Sequence, residues 1–445
     1  MQEQEATSVS RKPGPLVRVV LLQDGKGKGQ IILPNDALLD LKALNSLVER
    51  HLVPIPQAEI TQLTNSAKLT QLESAPAVFL LPTIIDESIA SQDFCGFEIF
   101  AVDNIEVQQV SMLQLRAALR ESNYRVRAIN CSIAADKLYR GSANDSADLD
   151  LIFNSIRNFT TLRIKQRLEE TLEIPPLPQT AQRIMALRSN ENANVADLAE
   201  IVEMDASLAA QVVSWASSPY YAAPSKIKSV QDAIARVLGF DLVSNLAVGM
   251  ALGNTLSLPD DSPDGFTPYW LQSVYCSTLI EAIVKLIPAN KRPSSGLACL
   301  AGLLHNFGYL VLAHIFPPHF SAICRHVEAN PTISHVAIDH HLLGVTREQI
   351  SAWLLQLWNM PAEVCAGIRF QHEPDYDGEH SAYANLIYIA MRVLRTHGIG
   401  DAPPEEVPPT MYERFDLNPE DVMAAVQKVV ASEEALKQIA SNFKA

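Results

Sequence analysis

The chain has 445 residues, 48% of them hydrophobic, and its 35 lysines and arginines face 50 aspartates and glutamates for a formal charge of −15. That length exceeds one ordinary core, so two or three domains are expected. The charge excludes a protein that coats nucleic acid non-specifically over its whole surface, although a local basic pocket stays compatible with it.

The longest unbroken apolar runs, such as LACLAGLL at 297–304, fall far short of the roughly 18 to 20 residues of a membrane span. The polar opening MQEQEATSVSRKPGP has no hydrophobic segment for export. A cytoplasmic protein without membrane contact is the expectation. Cys95, Cys131, Cys276, Cys299, Cys324 and Cys365 are scattered and form no CxxC pair, which predicts buried thiols rather than disulfides or a zinc knuckle.

In chain order, residues 1–14 read as a loose tail. From Pro15 to about residue 135 the pattern predicts an α+β domain, a mixed sheet with helices. LVRVVLLQ and IILP flank DGKGKGQ as a hairpin, APAVFLLPTIID and GFEIFAVD supply further strands, and DALLDLKALNSLVERHL and SMLQLRAALRES supply helices. The GKGKG run lacks the Walker spacing and its following Ser or Thr, so a turn is preferred to a phosphate loop. Residues 136–172 form a small, polar, exposed connection and a bridging helix, LDLIFNSIRNFTTLRIKQRLEETL. Residues 173–376 are expected to be an all-α domain, and 377–445 a helical extension. VADLAEIVEMDASLAAQVVSWASS keeps one apolar face, and SVQDAIARVLGFDLVSNLAVGMAL opens with Ser229 and Asp232 placed as a capping box.

Ten of the eleven histidines fall between His305 and His397. Imidazoles converging with a carboxylate from different helices would hold a divalent ion and activate water. The sequence tests that idea at GLLHNFGYLVLAH, expected to be one helix, where the residue after His305 is Asn306. A neutral amide lacks the charge of a carboxylate, so a hydrogen-bonded helix histidine is preferred to a metal ligand. In SHVAIDHHLLG, His335 is not spaced to share a face with His340 or His341, and a solvated helix end is preferred there, Asp339 included. Trp353 and Trp358, with Leu354, Leu355 and Leu357, read as core.

EIPPLPQTAQRIMAL, IVEMDASLAAQVVSWASSPYY, SVQDAIARVLGFDLVSNLAVG, GLLHNFGYLVLAHIFP and ISAWLLQLWNMPAEVCAGIRFQHEP, in this order, resemble the HDOD domain, a helical module of bacterial signalling proteins related to the HD phosphohydrolases. The resemblance implies a metal-site remnant at Gln272, His305, Asn306, Arg347, Gln371 and His372, with no aspartate in the late helix YANLIYIAMRVL. Asn306 and Arg347 stand where an anionic ligand and a histidine are needed, so neither a metal nor a cofactor is expected, and this domain is read as non-catalytic. It also implies regulation through a protein partner. In SSPYYAAPSKIKS, Tyr220, Tyr221, Lys226 and Lys228 are the candidates for partner contact.

LPNDALLDLKALNSL and LPTIIDESI resemble the YbaK/prolyl-tRNA synthetase-associated domain, which hydrolyses wrongly charged aminoacyl-tRNA. That implies aminoacyl-tRNA as a partner, with Arg18, Lys26, Lys28 and Asp86 as the candidate residues. No glycine occurs between Thr61 and Leu81, where the family has a glycine-rich loop. The leading expectation is a signalling protein that acts by binding. An editing deacylase and a divergent metal phosphohydrolase are the alternatives, so enzymatic activity stays open.

Overall fold

Apolar residues recur along 16–34, and the chain forms β1 (Leu16–Asp24), which turns at Gly25 and Lys26 into β2 (Gly27–Pro34). Gly27 lies at φ 126°, a conformation that suits a residue without Cβ. The antiparallel ladder pairs Arg18 with Leu33 and Gln23 with Lys28, so part of the glycine-rich run belongs to the strand itself. The fold is described by a computed structural model for residues 14–66, 81–100, 105–121, 126–141, 148–155, 176–190, 192–217, 221, 226–256, 263–264, 266–315, 317–441 and 443.

The chain divides into two compact units. The first comprises residues up to 138 together with 263–265 and 324–333. After the hairpin come β3 (Leu38–Leu39), α1 (Leu41–Val48), β4 (Val53–Pro54), α2 (Gln57–Ser66), β5 (Thr83–Asp86) and α3 (Glu87–Ala90). β6 (Phe94–Phe100), β7 (Ile105–Ser111), α4 (Met112–Glu121), β8 (Val126–Ile129) and β9 (Ser132–Ile133) complete it. The mixed sheet has the order β7-β6-β1-β2-β5-β8, with β4 paired to β1. Ile32 packs with Val17, Ile85, Phe97 and Leu115 on one face, while Ile31 and Leu33 pack with Leu22, Leu41 and Leu44 on the other. Burial on both faces is why β2 reads as a continuous apolar run rather than an alternating one.

Two details depart from the sequence reading. α1 begins only at Leu41, because Leu38 and Leu39 pair with Ile133 and Ser132 and the Asp40 side chain then accepts from the Ala43 amide. The strands β4, β7, β8 and β9 and the helices α2 and α3 were not anticipated; the expected strand start at 75–80 lies outside the described residues.

Asn330 is fully buried in this unit. Its Oδ1 accepts from the Leu39 amide at 2.6 Å and from Arg18 Nη2 at 2.7 Å, and its Nδ2 donates to the carbonyls of Leu39 and His326. One side chain thus satisfies both backbone groups of a residue in β3.

The second unit is helical. Residues 148–155 form α5. α6 (Gln179–Arg188), α7 (Val195–Glu203), α8 (Ala206–Ala216) and α9 (Val230–Ala233) follow, the last running into a π turn at Ile234–Leu238. Next come α10 (Phe240–Thr255), α11 (Tyr269–Leu286), α12 (Ser295–Leu303), α13 (Phe307–Ile315) and α14 (Pro317–Ala329), whose residues from Cys324 onward are counted with the first unit. α15 (His335–Leu343), α16 (Arg347–Leu357), α17 (Ala362–Arg369), α18 (Ser381–Arg395), α19 (Pro409–Glu413), α20 (Pro419–Ala431) and α21 (Glu433–Ser441) end the chain. α11 is buried almost all round, as befits a central helix. All six cysteines are buried and none forms a disulfide.

Three expected helices are in fact pairs. Asp205 caps α8 by accepting from the Ser207 and Leu208 amides, which splits the first at Met204. Gly239, at φ 80°, splits the second; there Ser229 Oγ accepts from the Asp232 amide, but Asp232 accepts from Lys228 instead of closing the box on Ser229. The third breaks at 304–306, so His305 and Asn306 lie in a turn between α12 and α13. Segment 295–314 is apolar and long enough to cross a membrane by composition, but it is almost wholly buried in protein. In the connection expected to be exposed, Asp136, Lys137 and Arg140 are exposed, and one residue at its end departs from that expectation. Buried Asp148, on α5, accepts from Gln349 Nε2 at 2.7 Å and Arg369 Nη2 at 2.9 Å, and Tyr139 stacks on His340.

Candidate functional site

Two helix starts, one helix end and one loop of the helical unit bring their charged groups together. α15 opens on His335, with Ser334 Oγ accepting from the Val336 amide. α16 opens on Arg347 and Glu348, secured by a reciprocal capping box between Thr346 and Gln349. Gly308 lets α13 approach this turn closely, since a Cβ there would meet the Arg347 carbonyl oxygen at 2.0 Å. His372 follows α17, and Asp401 follows the positive-φ glycines Gly398 and Gly400 beyond α18.

His335 Nε2 lies 2.8 Å from Glu348 Oε1, and His372 Nε2 lies 3.3 Å from the same oxygen. The other ring nitrogen of His335, Nδ1, is 3.5 Å from Asp401 Oδ2. Arg347 grips Asp339 with Nε at 2.6 Å and Nη2 at 3.0 Å, and its Nη1 is 3.3 Å from Asp401. Arg395 Nη2 lies 3.6 Å from the other oxygen of Asp401. His335, Asp339, Arg347, Glu348 and Arg395 are all buried.

Three carboxylates against two guanidinium groups leave one negative charge before the imidazoles are counted. Burial alone would raise the Glu348 carboxyl, yet His335 and a hydrogen bond from His372 hold it well below its usual range. Asp401, which burial would also raise, is held down by His335, Arg347 and Arg395. Burial would weaken the Arg347 cation, but Asp339 and Asp401 keep its pKa above the ordinary value. His305 and His372 are pushed down to about 4, in each case mainly by burial.

The residues expected from sequence are placed as follows. Buried Gln272 donates to the Thr267 carbonyl at 2.7 Å, and Thr267 Oγ1 in turn accepts from the Gly400 amide. His305 Nδ1 lies 2.8 Å from the Gly302 carbonyl, while Gln371 Nε2 donates to the His305 carbonyl at 2.7 Å. Asn306 is buried in the same turn. Arg347 and His372 enter the charged cluster directly.

The solvated end expected at 335–341 is corrected: His341 is exposed, but His335 is 4% exposed and Asp339 fully buried, because Arg347 and Glu348 draw them inward. Sequence reasoning missed Glu348 and Asp401; the one signal for Glu348 was its place beside Arg347. Leu357, expected in the core, is 55% exposed, although Leu354 and Leu355 are buried.

In the sheet unit the four candidates form no common site. Arg18 donates to the Asn35 carbonyl, Thr332 Oγ1 and Asn330 Oδ1. Lys28 pairs with Glu59, five ladder positions from the level of Arg18, or roughly 17 Å at strand spacing. Lys26 is exposed at the turn. Asp86 caps α3 through Ser88 and accepts from the Cys131 amide; burial raises its carboxyl, but these bonds bring the balance below the ordinary value. Of the candidates for partner contact, Tyr220 lies outside the described residues and Tyr221 is half-buried. Lys226 and Lys228 are exposed and line a groove of about 730 Å³ with Gln231, Asp232 and Arg236.

Comparison with known proteins agrees with this architecture. The model of the HDOD domain matches residues 174–374. A provisionally named signal transduction protein of Marinobacter aquaeolei VT8 has a similar crystal structure, with a TM-score of 0.86 and 40% identity over 97% of this chain and 94% of that one. An HDOD domain protein of unknown function from Geobacter sulfurreducens superposes with a TM-score of 0.52 at 19% identity over 64% of this chain and 98% of that one, a likeness of fold. An uncharacterized protein of Treponema pallidum (strain Nichols) is 20% identical over 390 residues, 87% of this chain and 72% of its own. The match over residues 174–374 shows that the chain carries an HDOD domain, and the 40% identity to the Marinobacter protein over nearly the whole of both chains places the two in one family of HDOD-domain proteins.

Proposed function

We propose that this chain is a regulatory protein whose helical unit acts by binding a protein partner and does not hydrolyse phosphate esters. The observation that carries this reading is Arg347. Where the resemblance calls for a histidine ligand, a permanent cation is buried and clamped bidentately by Asp339, and Asn306, where it calls for an aspartate, supplies no anionic oxygen. A divalent ion in that seat would meet a fixed positive charge, so that seat cannot hold the ion that activates water in metal hydrolysis.

The partner surface is the groove at Lys226 and Lys228, where three cations outnumber Asp232 and favour an acidic segment. The sheet unit serves as a sensor. A cavity of about 320 Å³ lined by Lys26, Arg50 and Arg127 beside Leu22, Ile31 and Leu52 suits a small ligand with an anionic end. Its candidate residues do not converge as an editing deacylase requires, which is why a sensing role is preferred to action on aminoacyl-tRNA.

The test is turnover. The purified chain, incubated with chromogenic phosphomonoesters and phosphodiesters and with Mg²⁺, Mn²⁺ or Zn²⁺, is expected to match the protein-free background. Metal-dependent turnover that disappears in His305→Ala would overturn the reading.

A further inference from the structure

The geometry points to a transition-metal site at His335, Glu348 and His372, distinct from the seat that Arg347 fills. Only His372 belongs to the remnant implied by the family resemblance; His335 and Glu348 lie outside it. The inference goes beyond the regulatory reading and does not depend on it.

The donor set carries the argument. His335 Nε2, Glu348 Oε1 and His372 Nε2 come from separate segments, and all lie within 4.8 Å of one another. Ligands about 2.0 to 2.2 Å from a tetrahedral ion stand roughly 3.3 Å apart, and the 2.8 and 3.3 Å separations from the shared oxygen are near that figure. Two imidazoles and a carboxylate suit Zn²⁺, Co²⁺ or Fe²⁺ rather than Mg²⁺ or Ca²⁺, which prefer all-oxygen shells.

The surroundings point the same way. Ligating histidines commonly donate their second ring nitrogen to a carboxylate; His335 Nδ1 makes no hydrogen bond here, and Asp401 Oδ2, 3.5 Å away, is the carboxylate placed to take it up. Glu348 Oε2 is buried and has no hydrogen-bond partner. A buried, unsatisfied carboxylate oxygen is costly, and an ion beside it would remove that cost. The neighbouring cations do not repel the ion in full, because Arg347 is matched by Asp339 and Arg395 by Asp401. What remains is the single negative charge of Glu348 between two imidazoles. His372, whose side chain keeps 14% of its exposure, is the ligand nearest solvent and marks the entry path. Water or Glu348 Oε2 completes the shell.

The full chain, made without a histidine tag and stripped with chelator, is titrated with Zn²⁺ and with Co²⁺, then desalted and measured for metal by mass spectrometry. One equivalent per chain is expected, with a raised thermal midpoint and the visible absorption of tetrahedral Co²⁺. Glu348→Gln and His372→Ala should each weaken binding by roughly a hundred-fold or more, whereas exposed His341→Ala should leave it unchanged. Should both ligand variants fail to fold, X-ray absorption of the wild-type zinc form decides: two imidazoles in the shell support the site, and sulfur ligands or fewer imidazoles overturn it. Wild-type protein that retains no ion and shows no thermal shift at saturating zinc also overturns it. Turnover by the zinc-loaded chain would overturn the regulatory reading while leaving this site standing, so the two fail separately.

Discussion

The charged residues of the sheet unit and those of the helical unit serve opposite ends. In the sheet unit three of the four candidates are matched by local bonds: Arg18 ties three oxygens together, Lys28 meets Glu59, and Asp86 caps a helix. In the helical unit the charges face one another, and carboxylates outnumber guanidinium groups in a buried space. Locally satisfied charges stabilise an architecture. Charges that are buried together and imperfectly balanced mark a place where an ion, proton or partner changes the energy most.

The sharpest way to break that contrast is to remove Arg347. Arg347→Met leaves Asp339 charged and buried, and urea unfolding should show a loss of about 3–5 kcal/mol. The double change Arg347→Met with Asp339→Leu should restore most of it, since two apolar groups replace a desolvated pair. A full loss in the double variant would show that the guanidinium matters chiefly through Asp401.

Acid comes next. The folded state holds His305 neutral with its pKa pushed down to about 4 from 6.5, so below pH 6.5 the unfolded chain takes up the proton first. Stability from this group is intact above pH 6.5 and drains away as pH falls towards 4, by on the order of 3 kcal/mol over the window. Chelator-treated His305→Gln should lose that part of the slope. Two substitutions in the sheet unit complete the series. Asn330→Ala should cost about 2 kcal/mol in thermal or urea unfolding by stranding the Leu39 amide and carbonyl. Lys28→Ala should cost under about 1 kcal/mol, because both partners of its ion pair keep contact with solvent.

Periodicity and the ordered family motifs suffice to locate the helical unit, its central apolar helices and the His305 turn. They do not reveal where helices break, because Asp205 and Gly239 interrupt patterns whose apolar phase continues across them. β7, with its paired glutamines, lacks a strong apolar signature and takes its place through pairing with β6. The charged cluster was legible only in part. Arg347 and His372 fall on motif positions, but His335, Glu348, His372 and Asp401 are separated by 13, 24 and 29 residues, intervals that match no helical period. Only the packed turns bring them within bonding distance, and Glu348 is aimed by the capping box rather than by any motif. Asp86 shows the reverse case: a carboxylate beside two other polar residues looks reactive as text and is a cap in the fold.

Asn330 has a consequence for descent. The decapeptide 324–333 lies within the stretch that matches the HDOD model, yet it is counted with the sheet unit, where Asn330 closes the ends of β3. Recombination that moved the matched module alone into another gene would carry this decapeptide away from the strand it completes. The recipient would gain an asparagine left with only the His326 carbonyl of its bonds, and the donor would keep the Leu39 amide and carbonyl without the side chain that satisfies them. The two units are therefore one heritable piece, and an asparagine at this place should travel through evolution with the sheet, not with the module that encodes it.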